Sequence, residues 1–329
     1  MKKDKVKKPH RGLRIFLTTI ISFVCLIVLV WASLFFSRFI IYSEFYGMRD
    51  IECVIPGIND GFVPQGIAKD DSQENAYFVS GYMNDHSCSR LYYTNEKEGS
   101  YYVKLIKEDK EFYGHCGGIA YGADHVYIAS GSKIYPIAVD SIYNSGNGDK
   151  LDVGNGIKVN NSASFVFVDE TYLYVGEFHD GGKYVTNNIF ETSKGTNHAI
   201  VSKYNLSDIN NIVDNLNPIE VISIPNKVQG FAVLSDGRYV LSTSYGLSSS
   251  HIYIYSEKED IKQTLSGAPV YALVDCDKDI IAPAMCEDLD ADGNKIYSLT
   301  ESACDKYIFG KLFTNANKIF SLTLQNEDK

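Results

Sequence analysis

The chain has 329 residues, with 24 Tyr, 17 Phe and a single Trp, enough apolar material for one large folded domain, so wholesale disorder is excluded. The net charge is −10, but the first fourteen residues, MKKDKVKKPHRGLR, hold seven Lys or Arg against one Asp, which leaves −16 on the remainder. An acidic body of that size argues against nucleic acid as a partner and disfavours close docking to anionic lipid.

From Ile15 to Phe36 run 22 residues without a formal charge, followed by Ser37-Arg38. A bilayer core needs about 20 apolar residues in a helix, so this stretch is a transmembrane candidate. A cleaved signal peptide, the alternative, has a shorter apolar region and a small-residue cleavage site. The basic flank predicts a single-pass signal-anchor with residues 1–14 as a cytoplasmic tail and 15–42 as anchor and stalk. Everything beyond is then extracellular, or at least extracytoplasmic, with membrane lipid as partner of the helix only.

Asp50-Ile-Glu-Cys-Val-Ile55 alternates and stops at Pro56-Gly57, as a strand does. A pair of strands around a short turn then recurs. The copies are Val63–Tyr82, His115–Ser132, Ser162–Phe178, Lys227–Gly246 and Ala284–Ser302. The fourth is the clearest, with its turn at Asp236-Gly237. Strand repeats at a spacing of roughly 40–50 residues mark a propeller of four-stranded blades. The expected fold is therefore an all-β, five-bladed β-propeller over residues 50–329, preceded by one transmembrane helix. Third strands are read at 90–94, 133–138, 199–206, 251–255 and 318–324, and fourth strands at 101–106, 156–159, 220–224 and 278–282. The last blade lacks a fourth strand, and residues 50–55 supply it, which closes the ring and hides its edges. Insertions at 180–197 and 256–276 break the pattern. A strand around Pro269–Val274 is expected in the second, with a hidden sixth blade there as the alternative.

Six cysteines lie outside the span, and an extracytoplasmic location permits disulfides. The blade pattern places Cys286 with Cys304 and Cys88 with Cys116 on the same face, so those bridges are expected; buried, reduced thiols are the alternative. In a propeller the starts of first strands and the ends of second strands meet at one channel mouth. That brings together Gln65, His115, Glu177, Gln229, Tyr245, Glu287 and Glu301, a polar constellation suited to fixing a small ligand. Carboxylates held close divide acid and base roles, and His115 suits a base or a metal ligand. The alternative is that these groups only satisfy channel backbone. Asp288, Asp290 and Asp292 precede Gly293 in the DxDxDG order of a calcium loop, without its closing acid; a plain hairpin turn explains the glycine equally well.

Pro64-Gln65-Gly66-Ile67, Val228-Gln229-Gly230-Phe231, His115-Cys116-Gly117-Gly118-Ile119 and Glu301-Ser302-Ala303 resemble bacterial extracytoplasmic propellers of the glutamine cyclotransferase and lactonase-like superfamily, over roughly residues 50–324. The resemblance implies that Gln65 corresponds to the glutamine in the opening motif of glutaminyl cyclases. It also implies that Glu177 and Glu287 correspond to acidic ligands of a channel calcium in lactonase-like relatives. The expected function is a membrane-tethered propeller that binds a small molecule or peptide at its mouth, with catalysis not implied. A lactonase or esterase-type hydrolase, a glutaminyl-peptide cyclotransferase and a cell-envelope scaffold are the alternatives. No cofactor is required, calcium being the one the motif allows.

Overall fold

The structure is a computed structural model and describes residues 11–97, 99–211 and 216–325, with Asn210 described by its backbone alone. Most of the basic head therefore lies outside the described residues. Five sheets stand round an axis, as the repeat pattern predicts. Their innermost strands are Phe62–Lys69, Gly118–Gly122, Phe165–Val168, Val228–Val233 and Cys286–Asp292, numbered here as blades one to five. Neighbouring innermost strands pack against one another, including blade five against blade one. Each blade continues outward by antiparallel pairing, as in blade four, where Leu241 faces both Phe231 and Tyr253.

The ring closes with the segment beyond the apolar helix. Arg49–Val54 pairs antiparallel with Lys318–Thr323, with Asp50 opposite Ser321 and Ile51 opposite Phe320. The Glu52 carboxylate accepts from Tyr77 of blade one at 2.9 Å and pairs with Lys295 of blade five at 2.9 Å, so it ties the seam to both neighbours. A short helix, Ser43–Met48, precedes the strand and buries Phe45 edge-on against Phe320, ring centroids 4.9 Å apart.

The insertion at 256–276 is not a sixth blade. It forms the hairpin Glu259–Leu265 and Ala268–Ala272, and the second of these strands adds in parallel to the outer edge of blade three, with Val221 opposite Val270. The extra edge strand expected near Pro269 exists, on the neighbouring sheet. Val270 and Ala268 supply the reason, since both are buried with Val221 and Ile200. Blade one gains a similar parallel edge, Lys150–Asp152 beside Gly99–Lys107. The insertion at 180–197 holds a small hairpin of its own, Phe190–Thr192 with Gly195–Asn197.

Two glycines allow the blades to meet. A Cβ on Gly66 would lie 2.7 Å from the Ile119 nitrogen of blade two, and one on Gly230 would lie 2.5 Å from the Leu289 nitrogen of blade five. Only a residue without a side chain permits that approach. Among the described residues one helix, Arg11–Ile41, is long and apolar enough to cross a membrane.

The expected disulfides are not formed; all seven cysteines are free thiols. Cys286 packs in the core shared by blades four and five, whereas Cys304 packs in the core between blades one and five. Cys116 is fully buried in the core of blades one and two, and Cys88 is buried in the segment before Arg90–Asn95. Burial pushes the Cys116 and Cys286 thiols up to about 12. They behave as small apolar residues, the reading weighed against bridges.

Candidate functional site

The starts of three innermost strands share a local irregularity. The pairing register slips between Pro64 and Gly66 in blade one, between Val228 and Gly230 in blade four, and between Cys286 and Leu289 in blade five. These are β-bulges, in which one residue too many opposes the partner strand and leaves the ladder. Gln65 and Gln229 are the residues so released, and in blade five Glu287 and Asp288 together oppose Leu299. The approach to the innermost strand is backbone-strained in two of these blades, with positive φ at Lys227 (67°) and Met285 (65°). The Gln-Gly repeat seen in the sequence is therefore a bulge that re-aims a polar side chain.

Blades five and one build a compact polar cluster. Gln65 is buried and donates from Nε2 to Glu301 at 2.8 Å. Glu287 is buried beside Glu301, and its carboxyl is raised well above the usual range, first by burial and then by the Glu301 and Asp288 charges. Burial also raises Glu301, against hydrogen bonds from Tyr307 and Gln65 and the nearby Lys306 ammonium. Two carboxyls in one dry site do not ionise equally. Glu287 has the Glu301 and Asp288 charges against it, whereas Glu301 has two donors. Both carboxyls are raised, and Glu287, with two charges against it, is the harder of the two to ionise. Lys306 bonds the Tyr82 hydroxyl, and the Tyr82 ring stacks on His115 at 5.0 Å between centroids. The His115 ring is open to solvent, yet the protein around it and the Lys306 ammonium hold its pKa below the ordinary value, so it is neutral near pH 7.

Blade three holds a second cluster. Glu177 is buried, accepts from Asn188 at 2.7 Å and from the Ser162 nitrogen at 3.3 Å, and is pushed up to about 7 by burial. His179 stacks on His198 at 4.9 Å and contacts Thr186 at 3.0 Å. Asn188 and Thr186 come from the 180–197 insertion, which folds back over the blade that carries it. Among the described residues no hydrogen bond joins this cluster to that of blades five and one. Gln229 is half-buried between them, and Tyr245 is exposed against Phe178. Of the seven predicted mouth residues, Gln65, His115, Glu287 and Glu301 thus fall in one cluster and Glu177 in the other, with Gln229 and Tyr245 outside both.

Asp288 has a role that its motif concealed. It is fully buried and, from blade five, accepts the Ile119 N–H of blade two at 2.9 Å. Blade one lies between those two in the ring, so the carboxylate links two blades that are not ring neighbours. Its other oxygen has no partner, and burial raises its pKa well above the carboxylate range. Asp290 accepts the Lys69 N–H at 2.6 Å, and Asp292 pairs with the Lys69 ammonium at 2.8 Å. The expected calcium loop is not formed, because the three residues lie in the extended strand Cys286–Asp292. Alternate residues of a strand are separated by about 6.5 Å, too far for three carboxylates to converge on one ion. Among the described residues no group of three or more His, Cys, Asp or Glu is placed to hold a metal. These residues do not fit calcium.

Lys306 and Tyr307 went unnoticed in the sequence. Both lie in the long loop between the second and third strands of blade five. The length of that loop was the available signal, since long loops on a rigid scaffold carry function.

A five-bladed β-propeller with a buried polar cluster where its innermost strands begin is the class that fold and site define. Solved structures similar to this chain include the PQQ-bound aldose sugar dehydrogenase of Streptomyces coelicolor, at 13% identity, TM-score 0.48, covering 84% of this chain and 98% of that one. A luciferin-regenerating enzyme gives 11% identity and TM-score 0.41 over 83% of this chain and 95% of that one. BamB from Moraxella catarrhalis gives 8% and 0.32 over 79% and 85%. No family profile and no curated protein sequence matches the chain.

Proposed function

We propose that this is a membrane-tethered propeller, displayed on the extracytoplasmic side, whose mouth binds a small molecule or peptide bearing an amine or amide. The observation that carries the reading is the buried group of Gln65, Glu287 and Glu301, open on one side toward Tyr82, His115 and Lys306. Bulges at the starts of the innermost strands of blades one and five carry Gln65 and Glu287 into it. Carboxyl and amide acceptors in a dry site favour a hydrogen-bond donor, because leaving such acceptors unpaired costs about 1–3 kcal/mol each.

A thermal-shift panel on the full-length protein, with short peptides, amino acids, primary amines and lactones, tests this. At least one amine or amide class should raise the melting temperature saturably. Gln65→Ala and Glu287→Gln should abolish that shift, while Tyr113→Ala should keep it. No saturable shift, or a shift retained by both mouth variants, would leave the cluster as inert channel filling.

One observation favours catalysis as the second reading. Two buried carboxyls side by side, Glu287 harder to ionise than Glu301, form a pair in which a proton can be given and taken. This suits cyclisation of an N-terminal glutaminyl peptide, in which the α-amine attacks the side-chain carboxamide and ammonia leaves. The glutaminyl cyclases line their mouths with tryptophan, whereas the only Trp here is Trp31, in the apolar helix. Binding without turnover is therefore the preferred reading.

A further inference from the structure

We infer that the mouth-bearing face of the propeller lies against the membrane that the N-terminal helix crosses; this rests on the anchor reading above. The Trp31 indole donates to the Leu312 carbonyl at 3.2 Å, and the Arg38 guanidinium donates to the Thr314 carbonyl at 2.5 Å. Leu312 and Thr314 belong to the loop between the second and third strands of blade five, which lies on the mouth face. Farther along, the Tyr42 hydroxyl meets Ser249 in the equivalent loop of blade four at 3.2 Å. The helix thus leaves the bilayer on the side of the mouth, not at the opposite end.

Depth follows from the helix itself. A span of about 20 residues from Ile15 ends near Leu34, so Trp31 lies at the outer boundary of the hydrocarbon, where Trp is favoured. The short helix Ile308–Phe313, bonded to Trp31 through Leu312, stands at the same level. It leaves Ile308 (65%), Phe309 (57%) and Leu312 (45%) exposed. Blade four adds exposed Leu247 on this face, and blade three adds exposed Val185 and Ile189. The opposite face is of another character. Its first-to-second-strand turns carry Asp124, Glu170, Asp236 and Asp292. On the mouth face, the acids of the apolar loops are accompanied by Lys183, Lys194, Lys306 and Lys311, and Asp305 pairs with Lys311. Exposed apolar residues on three neighbouring blades of one face, beside a membrane span, fit the interface of that same bilayer.

The test is fluorescence quenching of the full-length protein in mixed phosphatidylcholine–phosphatidylglycerol vesicles whose phosphatidylcholine acyl chains are brominated. Trp31 is the only tryptophan, so the wild type reports the anchor and a Trp31→Phe background reports added probes. Phe309→Trp and Leu247→Trp should both lose emission relative to unbrominated vesicles, while Ile219→Trp on the far face should not. Emission of both face probes matching that of Ile219→Trp, with Trp31 still quenched, would overturn the docking and leave the anchor standing. Quenching confined to Phe309→Trp would also overturn it, since only the segment beside the span would touch lipid. An unquenched Trp31 would remove the anchor reading and this inference with it.

Discussion

Glu177 is buried against Asn188 and the Ser162 nitrogen, and burial raises its carboxyl from 4.5 to about 7. Between those two values the folded state holds a proton that the unfolded state has released, so stability falls as pH rises from about 4.5 to 7. A difference of that size corresponds to roughly 3 kcal/mol. Glu177→Gln, which keeps the shape of the protonated acid, should therefore lose less stability between pH 5 and pH 8 than the wild type, by up to about 3 kcal/mol. Urea denaturation at the two pH values measures it, and equal slopes for both proteins would show that Glu177 is not buried as described. At this scale the sequence was partly legible. Gln65 and Glu301 were placed by their positions on successive strands and do meet. Of the two readings of DxDxDG the hairpin turn is the one seen, because the motif names residue types and not backbone conformation; the three acids lie in a strand, Asp288 on the Ile119 N–H and Asp290 and Asp292 on the N–H and ammonium of Lys69. Lys306 and Tyr307 were invisible because a loop has no period to place it.

The seam element, Ser43–Met48 followed by Arg49–Val54, joins helix and strand in one device. Phe45 is almost fully buried and packs on Phe320 within the core of blades four and five. Phe45→Ala removes a large aromatic from a packed core, so a cost of about 3–5 kcal/mol in denaturant unfolding is expected. A cost below about 1 kcal/mol would show that the helix does not contribute to closure. The strand was legible because Asp50–Ile55 alternates and the final blade lacked an edge. The helix before it was not, since six residues are too few to show a helical period. The hairpin at 259–272 was half legible. Its strand content is written in Pro269–Val274, but which sheet it joins is decided by burial of Val270 against Val221, a contact between residues far apart in sequence.

For the whole molecule, the ring depends on its first strand, whereas the apolar helix lies outside it. A chain beginning at Tyr42 should remain monomeric and melt cooperatively, while one beginning at Ile55 should lose the cooperative transition and aggregate through the exposed edge of Lys318–Thr323. Gel filtration and circular dichroism melting distinguish these outcomes, and a cooperative melt for the shorter chain would show that the ring closes without its seam. Blade number was legible because five hairpins repeat, and it matches the five sheets observed. The separation of the mouth into two clusters was not, because a repeat alignment gives equivalent heights on each blade and no distances across the axis.

If the apolar helix is held in a bilayer, the strand that seals the ring is the first strand of the domain beyond it, so mechanical load and closure share one path. Load on that helix meets the contacts of Trp31 with Leu312, Arg38 with Thr314 and Tyr42 with Ser249, then Phe45, and then the ladder beginning at Arg49 opposite Leu322. Peeling an edge strand from one end breaks its rungs in turn rather than together, so load on that path would act first on blade five, the sheet whose innermost strand carries Glu287.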